Sequence, residues 1–107
     1  MMVDLELDDL KREFLAEADE KVREIQAKLD GEQSPEALQR LTYLAHQLKG
    51  SGGSYGYQRI STDAAEIEKV VEAFTTGKID SRTEEKIQQH VVNLRAEIEK
   101  RVKELET

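Results

Sequence analysis

The sequence contains no cysteine, no tryptophan and only one proline among its 107 residues. Without cysteine, the chain can form neither a disulfide bond nor a thiolate metal site. Its apolar residues never form the run of about 18 that a membrane-spanning helix requires, so we expect no membrane association. The N-terminus is acidic and lacks the basic start and apolar stretch of a signal peptide, so we expect a cytoplasmic chain.

Basic residues are also in the minority, because 16 Lys and Arg stand against 23 Asp and Glu, which gives a formal net charge of −7. Nucleic acids and anionic membrane surfaces bind basic protein surfaces, so neither is an expected partner. The length predicts one domain over residues 1–107 with a single modest core.

Apolar residues recur at steps of three and four in four blocks, which is the spacing of amphipathic helices. The predicted helices cover approximately residues 7–30, 35–51, 57–76 and 82–105. Short linkers make neighbouring helices antiparallel, so we predict an all-α, antiparallel up-down-up-down four-helix bundle. Its polar outer faces give no reason to expect a dimer, and we expect a monomer. The apolar stripe of the first helix comprises Leu7, Leu10, Phe14, Ala18, Val22, Ile25 and Leu29. The stripe of the third helix comprises Ile60, Ala64, Ile67, Val71 and Phe74.

Capping residues predict where the later helices begin and end. Ser34 is expected to cap the second helix, and Pro35 suits its first helical position. The third helix is predicted to stop at residues 75–77. Ser81, followed three residues later by Glu84, matches the capping-box pattern and predicts that Ser81 caps the fourth helix.

The segment HQLKGSGGSYG, residues 46–56, is the most informative part of the chain. Residues three and four apart share a helix face, so Lys49 and Gly50 lie beside His46, and Gly53 extends the same surface. Helical phase places this face away from the apolar stripe, which argues against a core role for His46. A nucleophilic nitrogen, a fixed positive charge and a patch without side chains suit a histidine that carries a phosphoryl group and passes it to a partner protein.

The charge distribution around this segment supports an anionic adduct. Residues 37–62, 26 in a row, contain no Asp or Glu, although an even spread of the 23 acids would place five or six there. The same stretch contains Arg40, Lys49 and Arg59. A phosphorylated imidazole would be repelled by nearby carboxylates and held by nearby cations.

A phosphoryl-accepting histidine needs one deprotonated ring nitrogen that is exposed and a second nitrogen that an acceptor holds as N–H. Histidines that bind metals are oriented in the same way. The third helix offers Glu66 and Glu68, and Glu68 flanks the apolar stripe, where helices meet. Helical phase therefore favours Glu68 as the acceptor, with an ordinary solvated carboxylate as the alternative interpretation.

Other motifs are poorly matched. The only Lys-Gly pair, Lys49-Gly50, has the reverse order of a phosphate-binding P-loop, and the glycine cluster follows a predicted helix where a dinucleotide fingerprint follows a strand. His46 and His90 have no helical pairing at i+4, so no metal site is predicted. His90 lies at the edge of the fourth apolar stripe and is interpreted as structural or solvated.

Residues 46–51, HQLKGS, resemble the motif of histidine-containing phosphotransfer (HPt) domains, in which His, a variable residue, an aliphatic residue, Lys, Gly and a small residue follow in order. The continuation GSYGY over residues 53–57 is most similar to the phosphotransfer domain at the N-terminus of chemotaxis histidine kinases. The segment FLAEADE over residues 14–20 also resembles the first helix of that subfamily. The resemblance covers essentially the whole chain.

The resemblance implies an antiparallel four-helix bundle in which His46 is phosphorylated on its solvent-facing ring nitrogen. Lys49 would help to hold the phosphoryl charge, and Gly50 would leave room for the active-site aspartate of the partner. Glu68, 22 residues after the histidine, would bond the inner ring nitrogen. Chemotaxis-type domains often carry a second histidine on the third helix, where this chain has Ala65.

These features predict a phosphorelay intermediate, a phosphoryl carrier rather than an ATP-using enzyme. It would accept a phosphoryl group on His46 from a receiver aspartate or a histidine kinase and pass it to a receiver aspartate. The receiver would supply Mg²⁺, with no cofactor or metal on this chain, and would dock over His46, Lys49, Gly50 and Gly53. The alternative is an interaction module that binds and inhibits a kinase or receiver without being phosphorylated.

Overall fold

The computed structural model describes residues 2–73 and 79–106, and these residues form four helices and no strand. The helices are α1 (Met2–Asp30), α2 (Pro35–Ser54), α3 (Gln58–Glu72) and α4 (Ser81–Glu106). Each helix packs against the next one in the chain, and α4 packs back against α1. The predicted all-α, antiparallel four-helix bundle is therefore confirmed.

The start of α2 follows the predicted capping chemistry. The Ser34 hydroxyl accepts a hydrogen bond from the Ala37 amide at 3.1 Å, and Pro35 is the first helical residue. A cap of this kind contributes about 1 kcal/mol, because it gives a partner to an amide that the helix leaves unpaired. α2 then continues to Ser54, three residues beyond the predicted end, so the glycines of residues 50–53 are helical.

The cap of α4 differs from the prediction. Asp80 occupies the capping position: its carboxylate accepts from the Thr83 amide at 2.8 Å, and its carbonyl accepts from the Glu84 amide at 2.9 Å. Ser81 is already the first residue of the helix, so the capping-box assignment to Ser81 was wrong by one position. A carboxylate satisfies the free amides at least as well as a hydroxyl and also favours the positive helix end.

Helix α3 ends at Glu72. The predicted stop at residues 75–77, together with Phe74, lies outside the described residues.

The predicted apolar stripes meet in one core, with a correction at the start of α1. Leu7 and Leu10 are 44% and 48% exposed, although the periodicity placed them on the buried stripe. The Arg12 guanidinium donates to the Leu105 carbonyl at 2.8 Å, so Leu7 and Leu10 lie near the last described turn of α4, at one end of the bundle. Leu15, which the stripe omitted, is fully buried.

Aromatic stacking holds the α2–α3 connection against α1. The Phe14 ring stacks on Tyr55 and Tyr57, with ring centroids 4.9 Å and 5.8 Å apart. Gly56, between the two tyrosines, has φ +80°, a left-handed conformation that glycine adopts without steric cost. The chain therefore reverses in three residues and brings α3 directly alongside the C-terminal half of α2.

Helices α2 and α3 pack closely at Gly52. A Cβ atom added there would lie 3.1 Å from the Ser61 backbone nitrogen and 3.2 Å from a methyl carbon of Ile60. One turn away, the Ser61 hydroxyl donates to the Lys49 carbonyl at 2.8 Å. These contacts set how α3 lies against α2 near the candidate histidine.

Candidate functional site

His46 projects from the outward face of α2, with its side chain 64% exposed. The two positions that flank it in the sequence belong to different environments: Ala45 is buried, and Gln47 is half-buried. The helical phase of α2 therefore turns the imidazole away from the core, as the sequence pattern indicates.

The His46 ring is held by a carboxylate from the neighbouring helix. Its Nδ1 atom lies 2.7 Å from Oε2 of Glu68 on α3. An ionised carboxylate can only accept a hydrogen bond, so Nδ1 carries the proton and the neutral ring keeps its lone pair on Nε2. Nε2 makes no hydrogen bond within residues 2–73 and 79–106. The arrangement presents a nucleophilic nitrogen in a fixed orientation.

Lys49 binds the other oxygen of the same carboxylate, with Nζ 2.7 Å from Oε1 of Glu68. The Glu68 side chain is only 11% exposed, whereas the Lys49 side chain is 40% exposed. Burial raises the pKa of Glu68, but the hydrogen bonds from Lys49 and His46 outweigh it, so the pKa of this carboxyl lies below its ordinary value. Glu68 is therefore ionised at neutral pH and ties His46 and Lys49 to α3.

Gly50 and Gly53 leave open surface beside the imidazole. A Cβ atom added at Gly50 would meet nothing within 4 Å, and one added at Gly53 would make only an ordinary contact of 3.7 Å with the Ser61 hydroxyl. The packing of the bundle therefore requires glycine at Gly52 and not at these two positions. Helical phase predicted Gly50 and Gly53 on the His46 face, and the position of α3 supplies the separate packing requirement at Gly52.

The cations of the acid-free stretch are more strongly paired than the sequence indicated. Arg40 donates to both carboxylate oxygens of Glu24 on α1, at 2.6 Å and 3.0 Å, and Lys49 binds Glu68. Arg59 lines a groove between α3 and α4. Residues 37–62 contain no carboxylate of their own, and the carboxylates that bind Arg40 and Lys49 come from the neighbouring helices, which the linear sequence cannot show.

Three residues near the site were not predicted to have a role there. Glu24 orients Arg40, and Tyr43 is half exposed on the same face as His46. Ser61 fixes the α2 backbone at Lys49. The i+3 spacing of Tyr43 and His46 was the only one of these signals visible in the sequence.

His90 lies away from His46, at the contact between α3 and α4. Its Nδ1 atom lies 2.8 Å from Oδ1 of Asp63, which also accepts a hydrogen bond from Asn93 at 3.3 Å. The His90 side chain is 26% exposed and links α4 to α3, in agreement with a structural role. Within the part of the chain that the structure describes, no three His, Asp or Glu side chains converge as metal ligands.

Residues 9–106 match a family model described as the Hpt domain. The match includes all the residues of the site described above and all four helices except the first turns of α1. No match to the chain was found among the curated proteins or among the solved structures. Among the described residues, no helix is long and apolar enough to cross a membrane.

Proposed function

Because the chain belongs to the Hpt domain family, whose members take part in phosphotransfer in two-component signalling, we propose that it accepts a phosphoryl group on His46 and exchanges it with a receiver aspartate. The observation that carries the proposal is the bond between His46 Nδ1 and Glu68 on an otherwise exposed imidazole. This bond leaves Nε2 as the single nucleophilic atom and points it at solvent. Similarity to the chemotaxis-kinase subfamily is part of the proposal.

The proposed step is an in-line displacement at phosphorus. The Nε2 lone pair of His46 attacks the aspartyl phosphate of the receiver, the N–P bond forms as the acyl O–P bond breaks, and the aspartate leaves as a carboxylate. The ring keeps its proton on Nδ1 and becomes cationic, and Glu68 lies 2.7 Å from that proton. Glu68 thereby stabilises the phosphorylated ring, and the reverse reaction uses the same contacts.

Lys49 is proposed to stabilise the charge of the phosphoryl group. Its ammonium has three N–H donors and uses one of them on Glu68, so two are available to phosphoryl oxygens. Gly50 and Gly53 would admit the active-site aspartate of the receiver, because no side chain occupies their surface. Positioning and electrostatic stabilisation account for most of the catalysis in phosphoryl transfer, so a carrier of this size needs few groups of its own.

The remaining parts of the proposal concern the partners. The receiver domain or histidine kinase would bring Mg²⁺ and most of the catalytic groups, and this chain would act as a monomeric cytoplasmic carrier without a cofactor. Its acidic surface, with a net charge of −7, is unsuited to nucleic acid.

The test is phosphoryl transfer from a phosphorylated receiver domain, measured by intact mass. We expect a gain of one phosphoryl group that is acid-labile and alkali-stable, that His46→Gln abolishes and that His90→Gln preserves. The two substitutions make the same chemical change in the two histidines of the chain, so the pair separates the site from general effects. No gain from several receivers or from phosphoramidate would refute the proposal and favour a non-phosphorylated interaction module.

A further inference from the structure

Tyr43 is the central exposed side chain of the outward face of α2. It lies three residues before His46 and is 50% exposed. On one side of it, His46 is joined to α3 through Glu68, and on the other side Arg40 is joined to α1 through Glu24. A large aromatic ring therefore stands in the middle of the face, and its neighbours are held by the adjacent helices.

Two polar contacts hold the exposed Tyr43 ring. The Arg40 guanidinium lies over it, 5.4 Å from the ring centroid, and Gln47 donates a hydrogen bond to its hydroxyl at 2.7 Å. Arg40 in turn is fixed by its two bonds to Glu24. An exposed ring held by contacts above it and at its tip loses little conformational freedom when a partner covers it.

A partner that reaches His46 must also cover Tyr43. Side chains three residues apart on a helix lie about 5–6 Å apart, whereas a standard interface covers about 800 Å² on each partner. Pre-ordered tyrosines near the centre of such an interface are among the residues that contribute most to binding. On the other side of His46, Gly50 and Gly53 offer a surface without side chains, so the imidazole lies between a projecting ring and an open surface.

The charges of this face suit an acidic partner surface. Residues 37–62 carry no Asp or Glu, and the carboxylates that reach the face from α1 and α3 are neutralised by Arg40 and Lys49. A receiver phosphorylation site is built around an aspartate and is expected to meet less repulsion here than on the rest of this acidic molecule.

We propose that Tyr43 is the aromatic anchor on which the receiver domain docks to reach His46. The inference rests on the proposed function, because it names the contact that brings the phosphoryl donor to His46. Glu24, Arg40 and Gln47 are positioning residues that hold the ring in its exposed orientation.

The experiment compares partner-dependent and partner-independent phosphorylation of the same variants. Tyr43→Ala should lower kcat/KM for transfer from a phosphorylated receiver about 30-fold, the loss expected for an interface residue of this kind. Tyr43→Phe should retain transfer to within about threefold, because the ring and its stacking on Arg40 remain. Phosphoramidate, which needs no docking surface, should label all variants at the wild-type rate.

Val92→Ala is the matched control. Val92 is 58% exposed on α4, which packs against α1 and α3 and lies across the bundle from α2. This substitution also truncates an exposed side chain to a methyl group, at a distance from His46, and should leave transfer unchanged.

Normal receiver transfer by Tyr43→Ala would overturn the docking role. Equal slowing with the receiver and with phosphoramidate would also overturn it, because Tyr43 would then act on His46 itself. Failure of the wild type to be labelled on His46 by either donor would instead refute the proposed function.

Discussion

Replacing Gly50 with alanine should make the protein more stable and less active with its partner. Gly50 is helical, and a Cβ atom added there meets nothing within 4 Å. Alanine is favoured over glycine inside a helix by about 0.8–1 kcal/mol, so the free energy of unfolding should rise by that amount. For a domain of this size, this gain corresponds to an increase of about 4 °C in Tm.

The same methyl group projects onto the surface one turn beyond His46, where the proposed partner approaches. We expect transfer from a phosphorylated receiver to fall about tenfold, which corresponds to a loss of about 1.4 kcal/mol of interaction in the transition state. Labelling by phosphoramidate should not change, because the His46–Glu68–Lys49 contacts do not involve Gly50. The assay is thermal unfolding followed by circular dichroism, together with the two transfer rates.

Gly52 and Gly53 provide the internal comparison. A methyl group at Gly52 would press on the Ser61 backbone nitrogen at 3.1 Å, and overpacking of this kind costs about 1–3 kcal/mol, which offsets the gain in helix propensity. Gly52→Ala should therefore have a Tm no higher than that of the wild type, whereas Gly53→Ala should resemble Gly50→Ala. A Gly50→Ala protein that is less stable than the wild type, or that transfers at the wild-type rate, would refute this reasoning.

Three further predictions concern stability. Because the pKa of Glu68 is lowered in the folded state, its ionised form stabilises the fold above its ordinary pKa of about 4.3, and this contribution is lost as the pH falls through the folded-state pKa. The Tm difference between wild type and Glu68→Gln should accordingly shrink between pH 6 and pH 3, and a constant difference would contradict the assignment. Asp80→Ala should lower Tm, whereas Ser81→Ala should change it by less than about 2 °C. A larger loss of Tm in Ser81→Ala than in Asp80→Ala would show that Ser81 caps α4. Leu15→Ala should cost about 2–5 kcal/mol in urea denaturation and Leu10→Ala less than about 0.5 kcal/mol, and equal losses would contradict the register of α1 against α4.

Much of the fold could be predicted because each helix carries its own periodic pattern. Steps of three and four define the apolar stripes, and Ser34-Pro35 marks a helix start through local chemistry alone. The predictions were wrong where the burial of a residue depends on the neighbouring helix. Leu7 and Leu10 satisfy the period of α1 but are exposed, because the period gives the apolar face of a helix and not the extent to which a neighbouring helix covers it.

The candidate site divides in the same way. Helical phase placed His46 outward and favoured Glu68 over Glu66, because both statements depend on one helix at a time. The pairing of Lys49 with Glu68 and of Arg40 with Glu24 depends on the axial register between neighbouring helices. Helical periodicity alone does not give that register.

The close contact at Gly52 has a consequence for the interpretation of mutational scans. The backbones of α2 and α3 lie close together at Gly52 and Ser61, more than a helical turn from the imidazole, and this close packing helps to place Glu68 within reach of His46. A substitution that separates the helices there would withdraw the carboxylate from the ring without altering either residue. Under the proposed function, some variants that lose phosphoryl acceptance will therefore never contact the phosphoryl group. The distance from His46 Nδ1 to Glu68 will separate them from variants of the proposed site residues.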